Sequence, residues 1–499
     1  MGFIERKIIR LFEPILYRPS TSYESRPRAN HLPIGMAQAA YGKKGIQAME
    51  LNVQERLRHL LRLGATGSGK SVGELGNRLQ DVRKGQPFLM LDCHDTIDKL
   101  VRLVARDVIE GRIKEQTINN IYLVAPKERD WTVVINPYEC LNPTDAPYKV
   151  GPIIEVLDVI WGDILGAQTL QFTRALKILM AEGNIPMSAT ARLLDDPAEL
   201  RAHAMALNHS ETREYFLSRF LSWSPRRRSQ VAEAYLNKIG EFLAHPGIAA
   251  MLSSAKSDLD FRKAMDDGKT VLISLDKAEL FGSVDLLASL ILVSLRQATF
   301  SRGDLPEHER QPYFIVIEEF PSFASSVTVE PFLNESRKFG VGLVLIAQTL
   351  ASVHGSLLSS LRANCLTQII FRVSPEDAKI IVAGLAGEEK ELIYRQLVSL
   401  PIGTAIVIQG GCNPQKLSIP NVQIPEKLTS DEEDIINQIR HNIGRPIPAP
   451  SMPPSVSSVS CKEGSIDIVR GSTLATGALN KENHKIIDDI NNSIVEGDL

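Results

Sequence analysis

Short apolar runs alternate with segments of helical periodicity over most of the chain. The runs predict strands at 60–63, 87–91, 121–124, 133–135, 270–275, 313–317, 341–347, 366–373 and 404–408. Several of them are continuously apolar, which is typical of parallel strands that are covered on both faces. Between them, apolar residues recur three and four positions apart, as in 72–84 and 284–299, and predict helices. This alternation favours an α/β fold built on a mainly parallel sheet.

The pattern changes in the middle of the chain and again near its end. Residues 153–261 show long helical patterns with few strand signals, which indicates an all-helical insertion. A helix at 430–443 opens with the capping box of Ser430 and Glu433, and the Pro/Ser-rich segment beyond it predicts disorder. We therefore expect an N-terminal helix and linker (1–33), the first part of an α/β domain (34–152), the insertion (153–261), the second part of the α/β domain (262–428), a C-terminal helix (429–445) and a disordered tail (446–499).

The stretch LLRLGATGSGKS at 60–71 places a glycine-rich turn directly after an apolar run. The pattern G-x-x-x-x-G-K-[ST] is met by Gly64, Gly67, Gly69, Lys70 and Ser71. Its glycines let successive backbone N–H groups point into one concavity, where Lys70 reaches the outer phosphates and the Ser71 hydroxyl is placed for Mg²⁺. The helix that begins at Lys70 adds its positive N-terminal end. The stretch therefore predicts a nucleotide-binding loop made of Gly64, Ala65, Thr66, Gly67, Ser68, Gly69, Lys70, Ser71 and Val72.

Carboxylates follow two of the other apolar runs. The strand predicted at 313–317 delivers Glu318 and Glu319 at its C-terminal end. In a chain with a phosphate loop, such a pair is suited to a magnesium site and to polarising an attacking water, so it indicates nucleotide hydrolysis. The run at 87–91 is followed by Asp92 and His94. These two residues either border the nucleotide site or serve as a loop-capping aspartate and a surface histidine.

Composition narrows the class of protein further. The net charge of −3 is no sign of a nucleic-acid binder, so a DNA contact would need a local basic patch. The arginines at 226–228 either contact phosphates or begin a solvated helix. The five cysteines are scattered without a C-x-x-C pair, which argues against a zinc site and for a reducing cytoplasm. The most apolar run, 286–295, is about half as long as a bilayer requires, so we expect no integral membrane segment.

These motifs together resemble the HerA/FtsK superfamily of hexameric DNA-pumping ATPases. Within it, the chain is most similar to the conjugative (type IV secretion) coupling proteins of the TraD/TraG kind and to HerA-like translocases. The resemblance covers about 34–417 and rests on ERLRHLLRLGATGSGKS at 55–71, LMLDCHD at 89–95, FIVIEEFPSF at 314–323, LNESRKFGVGLVLIAQ at 333–348 and ANCLTQIIFRVSPEDA at 363–378. It implies a RecA-like P-loop NTPase core in which 153–261 is the inserted all-helical domain.

The resemblance also implies roles for individual residues. Lys70 and Ser71 would bind the phosphates of ATP and its Mg²⁺. Glu318 would lie near the metal, and Glu319 would be the base that activates water. Gln348 would sense the γ-phosphate from the end of the next strand. ATP and Mg²⁺ are therefore the expected cofactors.

An arginine that acts on a neighbouring subunit is a further implication. Arg337 lies where these motors place the arginine that reaches into the next subunit's nucleotide site and stabilises charge there. Arg372 and Arg362 are the alternatives for this role. A cation favoured by the dipole at a helix C-terminus is the other interpretation of Arg337.

Two features depart from the family pattern. Glu318 stands where the group usually has Asp, and the N-terminal membrane helices usual in conjugative coupling proteins are not expected here. The implied function is a cytoplasmic, ATP-driven DNA translocase that works as a homo-hexameric ring in conjugative transfer or DNA processing, with a nuclease, relaxase or secretion channel as a partner. The alternatives are an ATPase that powers protein secretion or pilus assembly, and an ATPase subunit of a defence complex with a partner nuclease.

Overall fold

A computed structural model describes residues 31–38, 46–322, 329–353, 355–385, 390–410 and 413–447. The predicted N-terminal helix and most of its linker lie outside this range, as does the predicted disordered tail apart from its first two residues. Residues 31–33, which we assigned to the linker, belong instead to a strand that begins at His31.

Thirteen strands occur in the described part of the chain. In order, they are β1 (His31–Gln38), β2 (Ile46–Asn52), β3 (Leu60–Leu63), β4 (Phe88–Asp92), β5 (Ile121–Val124), β6 (Trp131–Thr132), β7 (Thr270–Ser274), β8 (Tyr313–Ile317), β9 (Val341–Ala347), β10 (Thr367–Ile370), β11 (Thr404–Gln409), β12 (Gln415–Ser418) and β13 (Arg445–Pro446). Strands β4, β8 and β9 are buried along their whole length, as their continuous apolar sequences predict.

All but β6 and β13 form one sheet, in the order β2-β1-β12-β11-β10-β3-β9-β8-β4-β7-β5. The strands from β10 to β5 are parallel, whereas β11, β12, β1 and β2 extend the sheet with antiparallel pairings. The predicted α/β fold with a mainly parallel sheet is confirmed. Because β9 and β8 lie between β3 and β4, the C-terminal ends of these four strands meet along one edge of the sheet.

Helices cover both faces of the sheet and form the middle of the chain. In order, the described α-helices are α1 (Val53–Arg56), α2 (Lys70–Lys84), α3 (Thr96–Ile109), α4 (Ala146–Glu182), α5 (Thr190–Asp195), α6 (Pro197–Ala206), α7 (Ser210–Glu214), α8 (Pro225–Leu243), α9 (Pro246–Met251), α10 (Phe261–Asp266), α11 (Lys277–Leu280), α12 (Ser283–Ser301), α13 (Val329–Glu335), α14 (Gly355–Asn364), α15 (Pro375–Ala383), α16 (Lys390–Ser399) and α17 (Ser430–His441). The helical character of 153–261 agrees with the pattern, and its boundaries as a domain stay a prediction. Arg226 and Arg227 are exposed in the first turn of α8.

The strand predicted at 133–135 is wrong. This segment is buried, but its backbone binds the helical region instead of a strand. The N–H of Val134 donates to the Asp258 carboxylate (2.8 Å), and the N–H of Ile135 donates to the carbonyl of Met251 (3.0 Å). The residues of this run are therefore apolar because they are buried against the helical region, and they do not form a strand of the sheet.

The capping box predicted for Ser430 and Glu433 is wrong by one residue. Thr429 is the N-cap of α17, and its side chain accepts a hydrogen bond from the N–H of Glu432. The Glu432 carboxylate in turn accepts from the N–H of Thr429 (2.7 Å) and pairs with Arg106 (2.9 Å). The ion pair with Arg106 of α3 favours a helix start at which Glu432, and not Glu433, completes the capping box.

Helix α12 lies in the one described segment, 283–304, that is long and apolar enough to cross a bilayer by length and composition. Within the fold, 72% of that apolar window is buried. Its hydrophobic residues are therefore satisfied by packing inside the protein, as in the core helix of an α/β domain.

Lys177 in α4 is fully buried between two aromatic rings. Its Nζ lies 4.7 Å from the ring centroid of Tyr138 and 4.8 Å from that of Tyr235. Burial lowers the pKa of Lys177 to about 7. The two rings attract the ammonium form through cation–π interactions, which offset only part of the cost of removing a charge from water.

Replacing Lys177 with methionine is expected to stabilise the fold at neutral pH and to remove a pH dependence. The pKa of Lys177 is about 7 in the folded chain and 10.5 in an ordinary lysine, so the unfolded chain binds more protons between these values. Wild-type stability should therefore rise with pH over this range. We expect the variant to gain roughly 2–4 kcal/mol at pH 7, from ~1.4 kcal/mol per pKa unit less the cation–π attraction.

The free energy of unfolding in urea, measured at pH 6 and at pH 10, checks this expectation. The gain should be larger at pH 6. The exposed Lys256 provides the control, because its replacement by methionine should change stability little at either pH. An equal gain at the two pH values would contradict the assignment of the effect to a buried charge.

Candidate nucleotide site

The phosphate loop joins β3 to α2, and its shape depends on glycine. Gly67 and Gly69 have φ angles of 73° and 106°, which residues with a Cβ rarely adopt. A Cβ on Gly69 would also lie 3.0 Å from the backbone nitrogen of Gly403. Since that contact is with backbone, no side-chain rotation relieves it. The glycines of the sequence pattern therefore stand where the chain reverses and where it touches a neighbouring loop.

Backbone hydrogen bonds from both neighbouring strands hold the loop in place. The N–H of Gly64 donates to the carbonyl of Ala347 at the end of β9 (3.3 Å). The N–H of Ala65 donates to the carbonyl of Arg372, just beyond β10 (2.8 Å). Because β3 lies between β9 and β10, the loop is anchored by backbone hydrogen bonds on both flanks.

The first turn of α2 carries Lys70, Ser71 and Val72. Burial lowers the pKa of Lys70, while the carboxylates of Glu319 and Glu318 raise it. The lysine therefore lies in the field of both carboxylates at the same edge of the sheet. The side chain of Ser71 is exposed there, so its hydroxyl is accessible to a ligand.

Arg62 supports this turn from inside the sheet, and the sequence analysis missed it. Its side chain is fully buried in β3, where Nη1 donates to the carbonyl of Lys70 (3.3 Å) and Nη2 pairs with Glu74 of α2 (3.4 Å). A buried arginine is tolerated only when its charge is paired. The sequence did contain a signal, namely a single arginine inside the apolar run LLRL. A strand with apolar residues on both sides of an arginine is buried, so the arginine needs a charged partner.

Glu318 is 3% exposed at the C-terminal end of β8. The hydroxyl of Thr96 donates to its Oε2 (3.2 Å), and the carboxylate of Asp92 lies beside it. Burial, followed by the charge of Asp92, raises the pKa of Glu318 well above its ordinary value. Asp92 also accepts hydrogen bonds from the backbone N–H groups of His94 (3.0 Å) and Ile97 (2.9 Å). Asp92 thus caps the loop after β4 and contacts Glu318, and its place at the nucleotide stays a prediction.

Glu319 has a φ of 49°, an uncommon backbone conformation for a residue with a side chain. Its Oε1 lies 3.9 Å from Nε2 of His94, the distance of an ion pair. Burial raises the pKa of Glu319, but contacts with His94 and Gln348 and the charge of Lys70 outweigh burial and lower it below the ordinary value. The two adjacent glutamates therefore have pKa values shifted in opposite directions: that of Glu319 lies below its ordinary value, so this carboxylate is ionised, and that of Glu318 lies well above it.

Gln348 connects Glu319 to the phosphate loop. The hydroxyl of Thr66 donates to Oε1 of Gln348 (2.8 Å), and Gln348 also contacts the carboxylate of Glu319. This arrangement follows from the sheet order, because β9 lies between β3 and β8. The structure thus brings together the loop, Lys70, both glutamates and Gln348.

The donor set fits a magnesium ion that is bound mainly by phosphate and water. Oε1 of Glu318 is buried without a hydrogen-bond partner in the described part of the chain, and Ser71 offers an exposed hydroxyl. No group of three or more His, Cys, Asp or Glu side chains suited to a metal occurs among the described residues. A site with one or two protein oxygens is what Mg²⁺ uses when it is bound together with nucleotide phosphates.

Arg337 lies at the opposite edge of the sheet. It follows α13 and, with Arg58, His59, Arg362 and other residues, lines a cleft of about 730 Å³ at the N-terminal ends of β3 and β10 and the C-terminal end of β11. The phosphate loop, by contrast, follows the C-terminal end of β3. The structure therefore separates Arg337 and Arg362 from the other predicted site residues of the same chain. The carbonyl of Arg372, as described above, contacts the loop.

Fold and site together define a P-loop nucleotide-binding protein with a RecA-like core. Residues 234–405 match the family model described as the type IV secretion-system coupling protein DNA-binding domain. The chain is 25% identical over 380 residues to the DNA double-strand break repair helicase HerA of Saccharolobus solfataricus, covering 72% of this chain and 63% of that protein. Identity to the HerA helicase of Sulfurisphaera tokodaii is 24% over the same length, covering 64% of that protein.

Solved structures of a coupling protein share the fold. The unbound form of the bacterial conjugative coupling protein TrwBdeltaN70 superposes with a TM-score of 0.52 at 16% identity, covering 76% of this chain and 88% of that one. TrwB in complex with ADP and Mg²⁺ gives a TM-score of 0.51 at 17% identity, with 82% and 98% covered. The chain is thus related to HerA/FtsK-type P-loop ATPases and, among them, to conjugative coupling proteins, which confirms the resemblance found in the sequence. It spans less than two thirds (63% and 64%) of the length of the two HerA proteins.

Proposed function

We propose that this protein hydrolyses ATP and uses the energy to move DNA. The observation that carries the proposal is the convergence of the phosphate loop and Lys70 with an ionised Glu319, linked through Gln348, at one edge of the sheet. The relation to HerA helicases and to coupling proteins supports DNA as the substrate on which the motor acts.

In this proposal, the loop N–H groups and Lys70 bind the phosphates of ATP. Ser71 directly and Glu318 through water would hold Mg²⁺, which supplies positive charge to the transferring phosphoryl group. Glu319 is the base that accepts a proton from the attacking water, since it is ionised and half-buried. Gln348, which contacts both Thr66 and Glu319, reports whether a γ-phosphate is bound.

Assembly is part of the same proposal. Arg337 lies at the edge of the sheet opposite its own phosphate loop, so it acts on ATP bound by a second copy of the chain. Repeating this head-to-tail contact generates a closed ring, for which we propose six copies. A nuclease, relaxase or secretion channel as a partner, and a cytoplasmic location, belong to the proposal as well.

The proposal is tested by the ATPase rate with and without double- and single-stranded DNA, at low and high salt, together with the mass of the particle. DNA should raise the rate at low salt, and the effect should weaken as salt increases. Lys70→Ala should lower turnover roughly 100-fold or more in every condition, because it removes a phosphate contact. A rate indifferent to DNA, with no DNA binding at low salt, would overturn the DNA motor and favour an ATPase for protein secretion.

A further inference from the structure

His59 is a buried histidine in a strained backbone conformation, outside the nucleotide site. It lies between α1 and β3, with a φ of 57° and an exposure of 3%. Nδ1 of its ring accepts a hydrogen bond from the backbone N–H of Leu343 (3.0 Å), and the ring also faces the backbone of Leu333. Histidine is one of the few residues that tolerate this φ, and the bond to Leu343 holds the ring in place.

The ring has a fixed protonation state. Burial lowers the pKa of His59 to about 4, and the charge of Arg337 lowers it as well. The ring is therefore neutral at physiological pH. Because Nδ1 accepts from Leu343, the proton of the neutral ring must be on Nε2, and the backbone of Leu333 is the partner that this N–H faces. One side chain thus joins two segments with opposite hydrogen-bonding roles.

The two segments and His59 itself lead to three parts of the proposed machinery. Leu333 is in α13, and the short turn Ser336–Phe339 that carries Arg337 follows directly. Leu343 is in β9, which ends one residue before Gln348. His59 immediately precedes β3, which leads into the phosphate loop. The backbone of β9 packs closely against α1 at this point, because a Cβ on Gly342 would lie 2.6 Å from the carbonyl oxygen of Arg56.

Among the described residues that line its cleft, Arg337 has no carboxylate with which to form an ion pair. The described lining residues include the cations Arg58, Arg362 and Lys390, and none of them is Asp or Glu. Cations cannot anchor a guanidinium by ion pairing, and they repel it. The position of the backbone at 336–339 therefore sets the region that the guanidinium of Arg337 can reach.

We propose that His59 is a positioning residue for Arg337, which fixes the segment 333–339 against β3 and β9 and so aligns Arg337 with the nucleotide of a second copy. The inference rests on the proposed action of Arg337 between copies. Loss of the bond to Leu333 should therefore impair catalysis in the neighbouring copy and spare ATP binding in the same copy.

Two substitutions separate the bonds of the ring. In His59→Asn, the amide oxygen can replace Nδ1 as the acceptor for Leu343, and asparagine tolerates the positive φ, but the donor to Leu333 is lost. In His59→Gln, the longer side chain returns an N–H near the position of Nε2. We expect kcat to fall about 10- to 100-fold in the asparagine variant, with KM for ATP unchanged, and to recover at least in part in the glutamine variant. A wild-type kcat in His59→Asn, or an equal loss of ATP affinity, would overturn the proposal.

Mixed assemblies show whether the defect is in the arginine or in the whole fold. His59→Asn subunits keep their own nucleotide site, and Lys70→Ala subunits keep Arg337, so mixing them should restore turnover. Mixing His59→Asn with Arg337→Ala should restore none. If Arg337→Ala and Lys70→Ala together regain activity but His59→Asn and Lys70→Ala do not, the role of His59 is excluded. If the Arg337→Ala and Lys70→Ala mixture regains none, the proposed function between copies fails first.

Discussion

Replacing Glu319 with glutamine is expected to lower ATP hydrolysis by about 10²- to 10⁴-fold while ATP still binds. Glutamine keeps the size of the side chain and its contacts with His94 and Gln348, but it cannot accept a proton from water. Glu319 is suited to that step because His94, Gln348 and Lys70 lower its pKa and keep it ionised despite burial. Single-turnover hydrolysis and equilibrium binding of ATP, measured on the same preparation, check both parts of the expectation.

Glu318→Gln is the matched control, because the two glutamates are adjacent and their pKa values are shifted in opposite directions. Glutamine has the size of the buried Glu318 side chain and carries no charge, so it preserves the fold but removes the carboxylate. We expect this variant to need more Mg²⁺ for the same rate, since its side chain holds the metal less well. If Glu318→Gln removes the chemical step and Glu319→Gln does not, Glu318 is the base and the assignment made here is reversed.

The sequence was sufficient for the parts of this site that are contiguous. The phosphate loop needs glycine at fixed spacings for steric reasons, and Gly67 and Gly69 have the positive φ that the pattern implies. Continuous apolar runs likewise predicted the buried strands β8 and β9, with acids or an amide at their ends. In these cases one stretch of chain contains both the structural requirement and the chemistry.

The parts that depend on sheet order could not be predicted. Asp92 contacts Glu318 and His94 contacts Glu319 only because β4 pairs with β8, and no local pattern specifies which strands are neighbours. For the same reason, the sequence left two roles open for Asp92. The strained φ of Glu319 is also hidden, since propensity favours other residues at such a position.

Weak local patterns account for the elements that were missed. Strand β12 reads QKLS and is half exposed, so it forms because β1 and β11 offer unpaired edges on either side. Helix α14, GSLLSSLRAN, contains four residues of glycine or serine type, which have low helix propensity. In both elements, tertiary pairing decides the structure and the intrinsic signal is small.

Arg337→Ala should lower ATP turnover in the assembled protein by about 10³-fold and leave ATP binding unchanged, by analogy with arginines that act between subunits of other nucleotide hydrolases. Binding is spared because Arg337 is at the N-terminal ends of β3 and β10, away from its own phosphate loop. Turnover is lost because the γ-phosphate of the neighbouring copy lacks a cation as charge develops. ATPase rates at protein concentrations above and below assembly measure the effect.

Lys338→Ala separates this role from a general effect of charge at the end of a helix. Lys338 is adjacent and exposed and pairs with Glu335 (2.7 Å), yet it does not line the cleft. A cation that acts only on the helix dipole would be as important at 338 as at 337, and each change would cost a few tenths of a kcal/mol in stability. If Arg337 acts in the next copy, the opposite result is expected, and Lys338→Ala changes turnover little.

Action in the next copy also predicts that adding Lys70→Ala subunits restores turnover to Arg337→Ala, because each variant supplies the group that the other lacks. Equal losses in the two single variants, with no recovery on mixing, would leave Arg337 as a surface cation and remove the argument for catalysis between copies.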